Sequence, residues 1–121
     1  MNKEHTLLSH LIYTEEYTRQ VLPHVKAEYF SSPASKAVFS IIEKYVNNHS
    51  ALPNKEVLHY ELQQAKGMSE NSFKEAKALV DSLAVSDEVN KTNVDWLVNS
   101  AEEFCKHRAL YNALAESAQL I

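Results

Sequence analysis

The chain contains a single glycine, Gly67, among its 121 residues. At the usual frequency, a chain of this length would contain roughly eight glycines. The GxxxxGK[ST] phosphate loop and the GxGxxG dinucleotide-binding turn each need at least two glycines, so this chain holds neither. Tight β-hairpins also depend on residues with positive φ, which glycine adopts most readily, so a β-sandwich or barrel is disfavoured. The shortage of glycine therefore predicts a small all-α protein without a glycine-built nucleotide site.

Charge and cysteine content restrict the partners and the compartment. Twelve basic and 16 acidic residues give a net charge of −4, which is the wrong sign for a domain that coats nucleic acid. The one cysteine, Cys105, has no partner for an internal disulfide, and the apolar stretch 7–13 is too short for a signal peptide or a membrane span. The histidines and acidic residues lack the spacing of a metal site or an acid–base pair. We expect a cytoplasmic protein without a catalytic, cofactor or metal site of its own.

The hydrophobic pattern is helical nearly throughout and predicts a bundle of about five short helices followed by one long C-terminal helix. The central helix is expected to run from Pro33 to about Asn48, and Gly67 is expected to end the fourth helix in the left-handed conformation. Side chains that can cap helix N-termini are Thr14, Ser32, Asn54 and Ser69. The predicted core residues are Leu11, Tyr29, Phe30, Phe39, Ile42, Leu58, Phe73, Leu97 and Phe104.

The last helix carries apolar residues on two different faces. It is expected to begin near Thr92, where Asp95 resembles the second residue of a capping box, and no stop signal precedes Ile121. At about 100° per residue, its first half turns Leu97 and Phe104 to one side, and we expect Trp96 to anchor in the core. Its second half carries an apolar set on roughly the opposite side. This set is the predicted self-association face, consisting of Leu110, Tyr111, Leu114, Ala118 and Ile121.

An exposed apolar helix face usually marks an interface. We therefore divide the chain into a globular helical subdomain, residues 1–90, and a long helix, residues 91–121, that forms the first arm of a truncated helical hairpin. The chain is expected to be a fragment of a longer protein or a chain that pairs with another copy.

Five segments along the chain follow a shared pattern: residues 10–12, 28–30, 37–39, 52–53 and 103–113. Together they resemble the N-terminal domain of the DnaB-type replicative DNA helicases. The strongest is residues 103–113, EFCKHRALYNA, which is similar to the segment where the family's helical hairpin begins. Cellular members tend to have a histidine where the central helix begins, whereas this chain has Ser35-Lys36-Ala37, which places it nearer the T-even-type phage branch. The resemblance spans essentially the whole chain. The other similar pieces are His10-Leu11-Ile12, Glu28-Tyr29-Phe30, Ala37-Val38-Phe39 and Leu52-Pro53.

The resemblance implies an N-terminal assembly or collar domain of a hexameric, ATP-dependent replicative helicase. In that family a separate RecA-like motor domain, absent from this chain, binds ATP, magnesium and most of the single-stranded DNA. The implied partners are further copies of the chain, the primase and a helicase loader, in the host cytoplasm and without a membrane. The alternative, from another class, is a stand-alone helical dimerising adaptor or transcription regulator. A regulator would need a basic recognition helix, and none is visible.

Overall fold

The computed structural model describes residues 3–84 and 93–119, with side chains through residue 116. Within these ranges the chain forms six α-helices and no β-strand. Two 3₁₀ turns, Leu22–His24 and Ala27–Tyr29, connect the second helix to the third. The predicted all-α bundle with five short helices and a long last helix is confirmed. The helices are α1 Lys3–Tyr13, α2 Glu15–Val21, α3 Pro33–His49, α4 Lys55–Gln64, α5 Glu70–Ser82 and α6 Val94–Gln119.

Three helices begin at the predicted caps. The Oγ atoms of Ser32 and Ser69 each accept a hydrogen bond from the backbone N–H three residues later, at 3.1 Å. The Oδ1 atom of Asn54 accepts one from the N–H of Val57 at 2.9 Å. These bonds satisfy backbone donors that have no partner inside the helix. α3 also begins with a proline and ends one residue after the predicted position.

Of the other two predicted caps, Thr14 stands at the start of α2 without making a capping bond, and Thr92 is not among the described residues. Thr14 makes no capping bond to α2, because its Oγ1 atom shares a hydrogen bond with Nδ1 of His10 at 2.9 Å. Asn93 occupies the start of α6, where its Oδ1 atom accepts the N–H of Asp95 at 2.7 Å.

The left-handed helix end belongs to α3 rather than α4. α4 ends at Gln64 with an extended residue after it, so Gly67, although its φ is +89°, lies in the following loop. Ser50 instead ends α3 with φ 52° and donates its N–H to the carbonyl of Val46. The left-handed conformation costs a non-glycine residue about 1–2 kcal/mol, so glycine is the residue expected at a left-handed helix end. Here that expectation assigned the left-handed end to the wrong helix.

The core forms where α3 packs against α1, α4 and α5, while α6 packs against α2 and the 27–29 turn. The ring of Phe30 stacks on Phe39 of α3, with 5.1 Å between centroids, and tilts against Phe104 of α6 at 6.1 Å. This aromatic row joins the central helix to the long one. Among the predicted core residues, Phe73 and Phe104 are partly buried, and the buried ones are Leu11, Tyr29, Phe30, Phe39, Ile42, Leu58 and Leu97.

Trp96 does not anchor in the core, and that prediction is wrong. Its side chain is 62% exposed, whereas the adjacent Leu97 is buried. One residue along a helix turns the side chain by about 100°, so Trp96 projects sideways from the face that α6 packs against the body. In the described ranges no helix is long and apolar enough to cross a bilayer.

Candidate association surface

One face of α6 packs against the globular body. Leu97, Val98, Ala101 and Cys105 are buried on this face, at the spacing of one helical stripe. Burial raises the pKa of the Cys105 thiol, and the nearby Glu102 carboxylate raises it further. The thiol is therefore protonated at neutral pH and is not poised as a nucleophile.

The same stripe continues into the second half of α6 with polar residues. The Nε atom of Arg108 donates a hydrogen bond to the carbonyl oxygen of Tyr29 at 2.8 Å, and Nδ2 of Asn112 donates to that of Glu28 at 3.1 Å. Both bonds reach the 27–29 turn, so the helix is fixed to the body as far as Asn112. Sequence reasoning missed these contacts, although positions 101, 105, 108 and 112 repeat with helical spacing.

The opposite side of α6 presents large apolar side chains to the solvent. Leu110 is 60% exposed, Tyr111 58% and Leu114 62%. The Arg108 guanidinium lies over the Tyr111 ring, 5.0 Å from its centroid, and holds that ring at the edge of the exposed face. Of the other residues in the predicted self-association face, the Ala118 side chain and Ile121 lie outside what the structure describes.

A small apolar cleft lies between α1 and the first half of α6. It has a volume of about 190 Å³, and Leu7, Tyr17, Leu97 and Phe104 form its apolar walls. The exposed Trp96 ring stands at its rim. The sequence did not indicate this cleft, because its walls come from three helices that are distant along the chain.

The buried polar groups near this region have structural roles. His10 is buried in α1, its Nδ1 bonds to Thr14, and its ring lies 5.3 Å from that of Tyr17. The Nε2 atom of His10 is buried with no hydrogen-bond partner in the part of the chain that the structure describes. Burial lowers the pKa of His10, so the imidazole is neutral at pH 7.

The side chains that could ligate a metal ion are scattered over the described residues. Across residues 3–84 and 93–119, no three His, Cys, Asp or Glu side chains come together in a group that could hold a metal. With one glycine, the chain also lacks the backbone loop that cradles phosphates. The exposed apolar face of α6 is the kind of surface that usually marks an interface.

Comparison with known proteins gives one informative similarity. No protein-family model matches the chain. The chain is similar to a DnaB-like replicative helicase of Enterobacteria phage T4, with 31% identity over 114 residues. The alignment covers 94% of this chain but 23% of that helicase, so the chain spans less than a quarter of its relative's length. The resemblance to the DnaB-type helicases is thereby confirmed, and it is consistent with an N-terminal domain of a phage helicase.

Proposed function

We propose that this chain is the N-terminal assembly domain of a hexameric, ATP-dependent replicative DNA helicase. The observation that carries the proposal is the similarity to a replicative helicase over nearly the whole chain, but over a small share of that relative. A domain of this kind organises subunits, while ATP, magnesium and single-stranded DNA are bound by a motor domain that these 121 residues do not contain. The host cytoplasm is the corresponding compartment.

The exposed face of α6 supports the assembly role. Three large side chains, Leu110, Tyr111 and Leu114, lie together on a helix whose other side is committed to the body. Burying each would contribute about 1.5–3 kcal/mol before the cost of association is subtracted. Contacts with the primase and a loader rest on the family resemblance. A stand-alone adaptor would share this face, and the similarity to a helicase favours the assembly domain.

Replacing two exposed leucines tests the proposal. The double variant Leu110→Asp with Leu114→Asp should be monomeric, because four buried carboxylates per dimer would oppose association. Its helicity and melting should stay close to those of the unmodified chain, since both side chains are exposed. Sedimentation velocity over a range of concentrations measures the association, and far-UV circular dichroism measures the fold.

A matched control adds the same charges elsewhere on α6. Ala109→Asp with Ala113→Asp changes two exposed positions, each about 100° around the helix from the leucine that follows it, so this variant should still associate. If the leucine variant unfolds, these side chains belong to the domain's own core and the reasoning is wrong. If the unmodified chain is monomeric at every concentration, self-association through this face is refuted.

A further inference from the structure

We infer that the groove between α1 and α6 is a docking site for a short extended segment of another protein, which carries one large apolar side chain and, four residues away, one acidic side chain. The groove is apolar at one end and basic at the other, and the partner is defined by this chemistry. The inference does not depend on self-association and goes beyond the proposed assembly function.

The apolar end of the groove is the cleft of about 190 Å³ beside Trp96. Leu7 of α1 and Leu97 of α6 are buried in its walls, whereas the Trp96 ring is 62% exposed at its rim. A cavity of about 150 Å³ holds a benzene molecule, so this cleft has room for one aromatic or branched aliphatic side chain. An apolar opening beside an uncovered tryptophan is typical of a site that takes up an anchoring side chain.

The basic end of the groove is a second cleft, of about 380 Å³, further along α6. Lys3 and Phe104 border both clefts, so the two openings are contiguous. His107 and Arg108 are the other basic side chains in its lining. In the described ranges neither Lys3 nor Arg108 has a carboxylate within ion-pair distance. Two cations and an imidazole are therefore available to bind an acidic group.

Two carboxylates also line the second cleft, and they limit the negative charge that it accepts. Glu4 accepts hydrogen bonds from the backbone N–H and the hydroxyl of Ser31, at 2.7 and 2.9 Å, so its charge is engaged by that loop. Glu103 is exposed and repels further negative charge. The cleft thus suits one acidic group better than the run of phosphates in a nucleic acid, which agrees with the net charge of −4.

The distance between the two ends sets the spacing in the partner. Ser100 lies at the apolar cleft and Arg108 at the basic one, and eight residues of helix separate them by roughly 12 Å. An extended chain advances about 3.3 Å per residue and turns every second side chain to the same face. Positions four apart therefore lie on one face at roughly 13 Å, which matches the groove.

Titration with a synthetic peptide tests the docking site. The probe is GSFSSSDSG, in which a phenylalanine precedes an aspartate by four positions. Trp96 is the only tryptophan, so its indole N–H gives a single signal in a nitrogen–proton correlation spectrum. That signal should shift saturably, with a dissociation constant below about 1 mM. Changing the phenylalanine to serine, or the aspartate to asparagine, should each weaken binding about fivefold.

A charge reversal on the chain tests the basic end. Lys3→Glu places an anion where both clefts meet and should weaken binding of the aspartate peptide about tenfold, while a lysine in place of that aspartate should restore it. Lys3 is exposed at the start of α1, where a glutamate is favourable, so the variant should fold. Lys66→Glu is the matched control, since it makes the same change in the loop between α4 and α5 and should leave the dissociation constant within about twofold.

The apolar end has its own variant and the outcomes are separable. Ser100→Leu fills the cleft from a half-buried position and should weaken binding of the peptide while the far-UV spectrum stays unchanged. Absence of saturable binding, or equal losses in Lys3→Glu and Lys66→Glu, would overturn the proposal. If a thymidine oligonucleotide displaces the peptide and binds more tightly, the basic end takes phosphate and the peptide assignment is wrong. Sedimentation of the chain without peptide measures self-association separately, so either proposal can fail while the other stands.

Discussion

Phe39 gives the sharpest test of how the body of this domain is held together. Its side chain is fully buried on α3, and its ring stacks on Phe30 with centroids 5.1 Å apart and planes 30° from parallel. Phe39→Ala should lower the free energy of unfolding by about 3–5 kcal/mol through lost burial and the cavity that remains. Of this, the lost aromatic pair accounts for about 0.5–1.5 kcal/mol. The loss is large beside a typical total stability of about 5–15 kcal/mol.

Urea denaturation followed by far-UV circular dichroism measures the effect. Phe73→Ala is the matched control, because Phe73 is the same residue type but only partly buried on α5, so its loss should be clearly smaller. If Phe39→Ala is too unstable to measure, Phe39→Leu keeps most of the volume and should cost less than about 2 kcal/mol. A loss under about 1 kcal/mol for Phe39→Ala, or an equal loss for Phe73→Ala, would refute the assignment of α3 as the central helix.

Four further outcomes are expected. The purified chain should show no ATP hydrolysis with or without single-stranded DNA, and turnover above background would contradict this. It should bind single-stranded DNA no tighter than about 10⁻⁶ M at physiological salt, and submicromolar binding in fluorescence anisotropy would contradict that. Burial lowers the pKa of His10 below its ordinary 6.5. The stability that its neutral form provides is therefore complete above pH 6.5 and is lost as the pH falls through the folded-state pKa. Urea midpoints should drop on acidification, and the drop should be smaller in His10→Gln. Cys105, whose pKa burial raises, should react slowly with a thiol reagent in the native chain and quickly in urea; equal rates would show that the thiol is accessible.

Helix starts were predictable because their signals are local. Ser32, Asn54 and Ser69 each satisfy a backbone donor only three residues away, so the sequence contains the whole interaction. Thr14 has the same chemistry, but its hydroxyl bonds to His10, one turn back on α1. A capping bond can therefore be lost when another side chain near the cap residue forms a better hydrogen bond with its hydroxyl group. The residue types alone do not show which partner the hydroxyl will choose.

The exposed apolar face of α6 was predictable in part. The change of phase between Leu97 and Leu110 along one helix indicates two surfaces, and the structure exposes Leu110, Tyr111 and Leu114. The bond from Arg108 to Tyr29 joins residues 79 positions apart, and local periodicity carries no information about such pairs. Trp96 was misplaced for the same reason, since its exposure depends on where α1 and α2 meet the side of α6.

The hydrogen bonds between α6 and the 27–29 turn explain why the apolar face of α6 remains exposed to solvent. Rolling the helix by half a turn would bury Leu110 and Leu114 against the body, but it would expose Leu97 and break the bonds that Arg108 and Asn112 make to the 27–29 turn. Hydrogen bonds have a fixed direction, and one from a charged donor contributes about 1.5–3 kcal/mol, whereas an apolar contact would permit the roll. The hydrogen bonds of Arg108 and Asn112 therefore fix the rotation of α6 about its own axis, because their geometry tolerates little rotation. The leucines are held toward the solvent, where a further helix or another protein surface can cover them.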